Sequence, residues 1–548
     1  MLRGLMMDSP LLISSLLRHA EAWHGAREIV SRSVEGPVHR TSWAEVARRA
    51  RRLANALGAL GVRPGDRVGT LAWNTWRHLE IYYGVSGGGA VCHTINPRLF
   101  PPQIAYIIGH AEDSYLFVDL TFLPLVEALW DGLAGVRGVV VMTDAEHMPK
   151  ESKIPGLLCY ETLLGEQSDA YDWPLLDELA ASSLCYTSGT TGGPKGVLYS
   201  HRSTVLHSLG ICVPDAFGLS ARDSLMPVVP MFHVNAWGLP YAAALAGCKL
   251  VLPGPRMDGA SLHELMETEG VTCSAGVPTI WMGLLAHMEK AGARFSTLRR
   301  TVVGGSAAPR AMIEAFRERH GVELLHAWGM TETSPLGTVC KLLPEMDGWD
   351  EARKDDVRSK QGRPIFGVDL RIAGDDGAPL PHDGRAFGHL QVRGPWVCAG
   401  YYREEGSPAH GEGGWFDTGD VATVDPSGYM QITDRSKDVI KSGGEWISSI
   451  ELENLAVAHP DVAEAAAIGV PHPKWSERPL LVVVRRPGAS LDREGMLAFL
   501  EGKVARWWMP DDVVFVDELP HTATGKLLKT KLRQTFGGHR LPAADGRP

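Results

Sequence analysis

Apolar and polar residues along the first 120 positions switch between two periods. Ser42-Trp43-Ala44-Glu45 has the form of a capping box, and behind it Val46, Ala50, Leu53, Ala54 and Leu57 recur on one helical face until Gly61. Residues 67–71 then read as a strand, 76–83 as a helix, 91–95 as a strand, 101–110 as a helix and 115–118 as a strand. That alternation predicts parallel sheets covered by helices. Upstream, Ser9 and Pro10 have the form of an N-cap and first helical residue for the apolar run 11–17.

The rhythm breaks at Tyr186-Thr187-Ser188-Gly189-Thr190-Thr191-Gly192-Gly193-Pro194-Lys195-Gly196. The apolar run 184–186 enters it and 197–199 leaves it, which predicts a loop between two strands. Further on, 300–303 and 322–325 read as short strands, 346–361 as a charged surface loop or helix, and 384–402 as a small antiparallel β region. Beyond Asp434 the texture changes. Ser448-x-x-Glu451 caps a helix ending near His459-Pro460, strands follow at 462–470, 480–484 and 513–516, and a helix begins at Asp492. The fold class expected is α/β. A large N-terminal domain of helix-covered sheets plus a β region (1–433) precedes a small mobile α+β domain (434–548).

Length and charge narrow the function classes. A chain of 548 residues exceeds one ordinary domain. The net charge of −10 offers no basic stripe for nucleic acid. Eight cysteines without a C-x-x-C pair suggest neither a zinc site nor a disulfide framework, which fits a reducing, cytoplasmic setting. The N-terminal apolar run is too short to span a membrane, and no other stretch reads as a span.

The glycine loop carries the chemistry. Glycines let backbone N–H groups close on an anion, and Lys195 adds a mobile charge for phosphate oxygens. It is not a Walker A loop, because Gly196 follows the lysine where that motif has Ser or Thr. A plain flexible linker would not end in Pro-Lys-Gly between two apolar runs. Gly304-Gly305-Ser306-Ala307-Ala308 falls short of a nucleophile elbow because Ala308 replaces the closing glycine; glycines at a strand end suit a flat ring lying on the backbone. His263-Glu264 fails as a zinc helix, since position 267 is Glu. His201 and His207 read as ordinary hydrogen-bonded histidines, and His233 is kept as a catalytic candidate. Glu332 is a hard oxygen ligand suited to magnesium, and Asp420 is an acceptor suited to ribose hydroxyls.

Taken together, T-S-G-T-T-G-G-P-K, G-M-T-E, F-D-T-G-D, D-R-x-K-D-x-I-K-S-G-G-E and the C-terminal T-G-K at Thr524-Gly525-Lys526 resemble the adenylate-forming enzymes: acyl-CoA synthetases, luciferases and peptide-synthetase adenylation domains. The likeness covers essentially the whole chain. V-P-M-F-H-V-N-A-W and K-S-G-G-E-W-I-S-S make it closest to bacterial fatty-acyl-CoA synthetases, including the branch that activates 3-methylthiopropionate.

The resemblance implies roles. Thr187, Ser188, Gly189, Thr190, Thr191, Gly192 and Lys195 would hold the β- and γ-phosphates, and Thr187 and Glu332 magnesium. Gly305, Ser306, His326, Ala327 and Trp328 would line the adenine site, with Gly329, Met330 and Thr331 of the same string beside the nucleotide. Asp420 and Arg435 would bind ribose. Asp434 would be the hinge and Lys526 the catalytic lysine. Lys441, Gly443, Gly444 and Trp446 would approach the thiol channel of coenzyme A. Trp237 matches an aromatic gate between nucleotide and acyl chain, with Val234, residues 277–279 and Gly304 as wall candidates. Relatives usually have Tyr at position 328; tryptophan keeps ring stacking and loses the phenol hydroxyl.

The expected reaction is ATP- and magnesium-dependent ligation of a medium- or long-chain fatty acid to coenzyme A, with pyrophosphate and AMP released. A short-acid ligase such as one for 3-methylthiopropionate is the alternative. A free-standing adenylation domain, a luciferase-like monooxygenase and an ATP-gated acyl-chain binding protein are the further rivals, and the resemblance also suggests a homodimer.

Overall fold

The computed structural model describes residues 1–187, 193–442, 445–521 and 527–542. The chain folds as two compact units, Met1–Asp369 with Arg393–Pro408, and Leu370–Val392 with Ala409–Pro548.

The first unit holds two large sheets, and among the described residues they have seven and nine strands. The seven-stranded sheet runs Leu158–Cys159, Gly138–Val141, Asp113–Val118, Arg67–Leu71, Val91–Thr94, Ala181–Tyr186, Gly196–Ser200 in spatial order. Every neighbouring pair is parallel except the last, which is antiparallel. Gly138–Val141 is buried at all four positions, as expected of a parallel strand covered on both faces. Across this sheet Leu71, Ile95, Leu116, Val118 and Leu184 share one core with Ile104 and Ile108 of the helix Pro101–Ala111. The nine-stranded sheet places Arg300–Val303 parallel to Glu323–Gly329, which then pairs antiparallel with Leu336–Val339. A second core, including Leu262, Leu284 and Phe316, lies against it.

The second unit carries the antiparallel strands Phe387–Arg393, Phe416–Val424 and Met430–Arg435. Its other sheet, five-stranded among the described residues, is built on Val462–His472 and Ser476–Arg485 and covered by Ser449–Val457 and Arg493–Leu500. The α/β class with a smaller strand-and-helix portion is as the sequence predicts.

Local readings fared unevenly. Ser42 caps Trp43–Ala59 by accepting from the Glu45 N–H, but the Glu45 carboxylate binds Arg48 at 2.8 Å, so only half of the capping box forms. The first helix is Ile13–His24 with Leu12 at its N-cap, so Ser9-Pro10 does not start it. Leu11 N–H is instead drawn to Glu178 Oε2 at 2.9 Å, a partner 167 residues away. No helix among the described residues is long and apolar enough to cross a membrane.

Candidate active site

In the first unit Tyr186 and Gly196 face each other where the glycine loop leaves its hairpin. Two bonds close the neck: Thr187 N–H donates to the Lys195 carbonyl at 2.9 Å, and Lys195 N–H donates to Thr187 Oγ1 at 3.1 Å. Ser188, Gly189, Thr190, Thr191 and Gly192 lie outside the described residues. Lys195 Nζ meets Glu404 Oε1 at 2.9 Å and stands 4.5 Å over the Tyr401 ring. The Tyr401 hydroxyl donates to Glu332 Oε1 at 2.9 Å. Tyr401, unmarked in the sequence reading, therefore joins the loop lysine to the candidate metal carboxylate. Burial and then the Glu332 charge push its phenol pKa up, so it stays a donor.

Glu332 is only 6% exposed, on the short 3-10 turn Thr331–Thr333. Its carbonyl accepts from Cys398 N–H at 2.8 Å, and Tyr199 of the loop's exit strand donates to the Thr331 carbonyl at 2.6 Å. Glycine loop and carboxylate are thus pinned to one strand. The donor set fits magnesium: a buried carboxylate and the Thr187 hydroxyl are hard oxygens, and no group of three or more His, Cys, Asp or Glu among the described residues would compete as a self-sufficient cage. Magnesium takes few protein ligands when phosphate oxygens complete its shell.

The second glycine segment follows the strand Arg300–Val303. Gly305 sits at φ +80° and, with Ser306, is exposed. Beneath it His326 is fully committed: Nε2 accepts from Ala308 N–H at 3.2 Å and Nδ1 donates to the Ser359 carbonyl at 3.1 Å. Burial lowers its pKa to about 4, so it remains neutral and keeps that tautomer. It braces the shelf. Trp328 lies within the strand Glu323–Gly329, 6% exposed, with its ring against the Gly337 backbone. Gly329 cannot be replaced, because an added Cβ would stand 1.8 Å from the Pro335 carbonyl oxygen. Met330 N–H donates to that same oxygen at 3.1 Å.

Trp237 ends an unusual segment. Val234, Asn235, Ala236 and Trp237 take φ of 47°, 51°, 49° and 58°, and Gly238 follows at 72°. This is a left-handed helical turn, costing roughly 1–2 kcal/mol per non-glycine residue. His233 leads into it from extended backbone, its carbonyl accepting from Ala236 N–H at 3.2 Å. The tip of the Trp237 indole lies on Gly304, where an added Cβ would be 3.1 Å from Cη2 and 3.2 Å from the Ala327 carbonyl. Val277 lies against Gly305 on the same segment. The gate and wall candidates therefore converge.

In the second unit Asp420 and Arg435 are cross-strand partners, with Arg435 Nε 3.3 Å from Asp420 Oδ1. Lys441 and Trp446 face each other across the hairpin Ile440–Ser442 and Glu445–Ile447, the lysine 5.0 Å over the indole. Gly443 and Gly444 lie outside the described residues, as does Lys526. Asp434 is fully buried; its carboxylate accepts from Ser449 N–H at 2.6 Å, at the start of Ser449–Val457. Burial raises its pKa, against the pull of Lys529.

Lys529, not singled out in the sequence, opens the helix Lys529–Phe536 three residues after Lys526. Its ammonium meets Glu453 Oε1 at 2.6 Å and donates to Ser449 Oγ. Burial opposes its charge, but Glu453 and Asp434 overcome that and the net shift is upward. His521 and Leu527 pair in an isolated antiparallel bridge. Lys529→Met should cost about 3–5 kcal/mol, because it strands two buried carboxylates. Denaturant unfolding followed in the second unit checks this, and adding Glu453→Gln should restore part of the loss.

The family model described as AMP-binding enzyme matches residues 16–402, and the one described as AMP-binding enzyme C-terminal domain matches 451–526. The chain is an AMP-binding, adenylate-forming enzyme. It is 57% identical over 533 residues to a 3-methylmercaptopropionyl-CoA ligase of Ruegeria lacuscaerulensis, covering 97% of this chain and 98% of the relative. It is 53% identical over 534 residues to a medium-chain-fatty-acid–CoA ligase of Ectopseudomonas oleovorans, covering 97% of each. The solved anthranilate CoA ligase AuaEII, in complex with anthranoyl-AMP, superposes with a TM-score of 0.84 at 27% identity over 96% of this chain and 98% of that one. This AMP-binding enzyme is an acid–thiol ligase of the AMP-forming kind, working through an acyl-adenylate with ATP, magnesium and coenzyme A.

Proposed function

We propose that this adenylate-forming enzyme activates an unbranched aliphatic acid, with medium to long fatty acids favoured, in the cytoplasm. The observation that carries the reading is the convergence of Lys195, Tyr401 and Glu332 at the neck of the glycine loop, with an apolar segment carrying Trp237 in the same unit. Thr187 and Lys195 hold the β- and γ-phosphates, and Asp420 and Arg435 the ribose. Gly305, Ser306, Ala327 and Trp328 take the adenine, over the shelf that His326 braces.

An acid carboxylate must approach the α-phosphate of ATP although both are anionic. Lys526 offsets that repulsion and steadies the departing pyrophosphate. Glu332 and Thr187 would hold magnesium, which would supply Lewis-acid withdrawal of charge from the phosphate oxygens. The second half-reaction brings the thiol of coenzyme A to the acyl carbonyl. For it, residues 434–548 reorient about Asp434, and Lys441, Gly443, Gly444 and Trp446 line the thiol's approach. His233, on the entry to the Trp237 turn, serves beside the acid carboxylate.

Incubation with ATP, magnesium, coenzyme A and a panel of acids tests the reading. AMP and pyrophosphate should form in proportion to acyl-CoA, and only with acid present. Nucleotide binding without either product would favour an ATP-gated acyl-binding protein instead. Identity to the Ruegeria relative favours a second reading, a ligase for a short thioether acid, which the same panel separates by rank order.

The hinge has its own test. A proline ring fixes φ, so Asp434→Pro should keep adenylation and lose most thioester formation. Asp434→Ala removes the same buried carboxylate without the ring and serves as the control. Equal behaviour of the two in both half-reactions would rule out a torsional role.

A further inference from the structure

The left-handed turn before Trp237 has little to hold it in its own backbone. Ala236 N–H donates to the His233 carbonyl at 3.2 Å and Gly238 N–H to the Asn235 carbonyl at 3.0 Å. Three of its four non-glycine residues, Val234, Ala236 and Trp237, have no side chain suited to a positive φ. Asn235 is the exception. It is 4% exposed, and its carboxamide is used at both ends. Nδ2 donates to Ser183 Oγ at 2.9 Å, while Oδ1 accepts from Thr94 Oγ1 at 3.2 Å and lies 3.4 Å from the Cys185 thiol. Thr94 and Cys185 are themselves 3.2 Å apart and face each other in register across two parallel strands. The partners therefore sit on the strand pair that leads into the glycine loop, two interior strands of the seven-stranded sheet.

We propose that Asn235 is a specificity-determining positioning residue, whose carboxamide clasps the left-handed turn to Val91–Thr94 and Ala181–Tyr186 and thereby fixes where Trp237 stands over Gly304. The inference rests on the gate reading of Trp237 given above. Asparagine suits the position for two reasons. It tolerates the left-handed region better than other residues, and it offers donor and acceptor from one planar group. Aspartate would lose the donor to Ser183 and bring a charge into a buried site, and alanine would lose all three contacts. The seat it controls is tight. Gly304 has the indole on one side and the Ala327 carbonyl on the other, each within 3.2 Å of a Cβ position, so a small shift of the turn moves the indole along the acyl path. His207 secures the far end: its ring abuts Gly238, where a Cβ would lie 2.7 Å from Nδ1, and its Nε2 accepts from Leu336 N–H at 3.1 Å. With that end fixed, loss of the clasp frees the middle of the turn.

The test compares kcat/KM for the best acid with that for an acid four methylenes longer. Asn235→Ala should change this ratio by about fivefold or more toward weaker discrimination, with KM for ATP moving less than about twofold. Ser183→Ala, which removes one clasp partner, should shift the ratio in the same direction to a smaller extent, and it carries the test if Asn235→Ala does not fold. In a Trp237→Ala background, Asn235→Ala should add less than about twofold, because its effect passes through the indole. A full-sized effect in that background, or an unchanged ratio in folded single variants while Trp237→Ala does change it, overturns the clasp. An unchanged ratio in Trp237→Ala itself overturns the gate reading, and the clasp with it.

Discussion

Lys526→Ala should lower acyl-adenylate formation about a hundredfold or more, the scale expected when one preorganised charge is taken from a developing anion. Thioester formation from supplied acyl-adenylate should fall far less, because that step no longer releases pyrophosphate. The expectation comes from Thr524-Gly525-Lys526 in the sequence, which lies outside the described residues. On either side of it, Lys529 is buried against Glu453 and Ser449, and His521 pairs with Leu527. A positioned lysine would stabilise the developing anion, whereas a lysine on a free tail would contribute little beyond bulk screening. Measuring pyrophosphate exchange for the first half-reaction and CoA thioester from purified adenylate for the second separates the two cases. Equal losses in both would remove Lys526 from the adenylation role.

The elements that were legible in the sequence are those whose pattern is local and repeated. The strand at 300–303 and the Ser448-capped helix appear where the apolar spacing and cap residues place them. Residues whose role depends on a distant partner were not legible. Ser9-Pro10 has the local form of a helix start, yet Glu178 captures Leu11 N–H and the helix begins later. Tyr401 looks like one aromatic in A-G-Y-Y-R until Lys195 and Glu332 are seen on either side of it. The hydrogen bonds of the His326 ring to Ala308 and Ser359 had no sequence signal either. The strand at 322–325 runs on to Gly329, because antiparallel pairing with Leu336–Val339 extends it past the parallel ladder with Arg300–Val303. Least legible was the turn before Trp237. Val-Asn-Ala-Trp has one residue that favours positive φ, and what selects the left-handed form is a set of hydrogen bonds to Thr94, Ser183 and Cys185, between 50 and 141 residues away along the chain.

The acid itself should show the other large effect. Phe232, Val234 and Leu239 are buried around the Trp237 turn, and Val277 lies beside Gly305. An apolar wall of this kind recognises an alkyl chain by area alone, at roughly 0.8 kcal/mol for each buried CH₂. Converted to rate, that is about fourfold in kcat/KM per methylene, and roughly two hundredfold across four. A charged or polyhydroxylated acid would leave its polar groups unpaired against the same wall. For a medium- or long-chain enzyme, kcat/KM should therefore climb steadily from butyrate through octanoate before levelling. For a short thioether-acid enzyme it should peak early and then fall as added carbons meet the indole on Gly304. Trp237→Ala should move the point at which the climb stops, since it removes the side chain that fills that space. A steady-state series over even-numbered alkyl acids, with 3-methylthiopropionate and benzoate alongside, distinguishes these outcomes. Benzoate or 4-coumarate turning over far better than every alkyl acid would show that the wall is shaped for a flat ring, and the aliphatic assignment would fall.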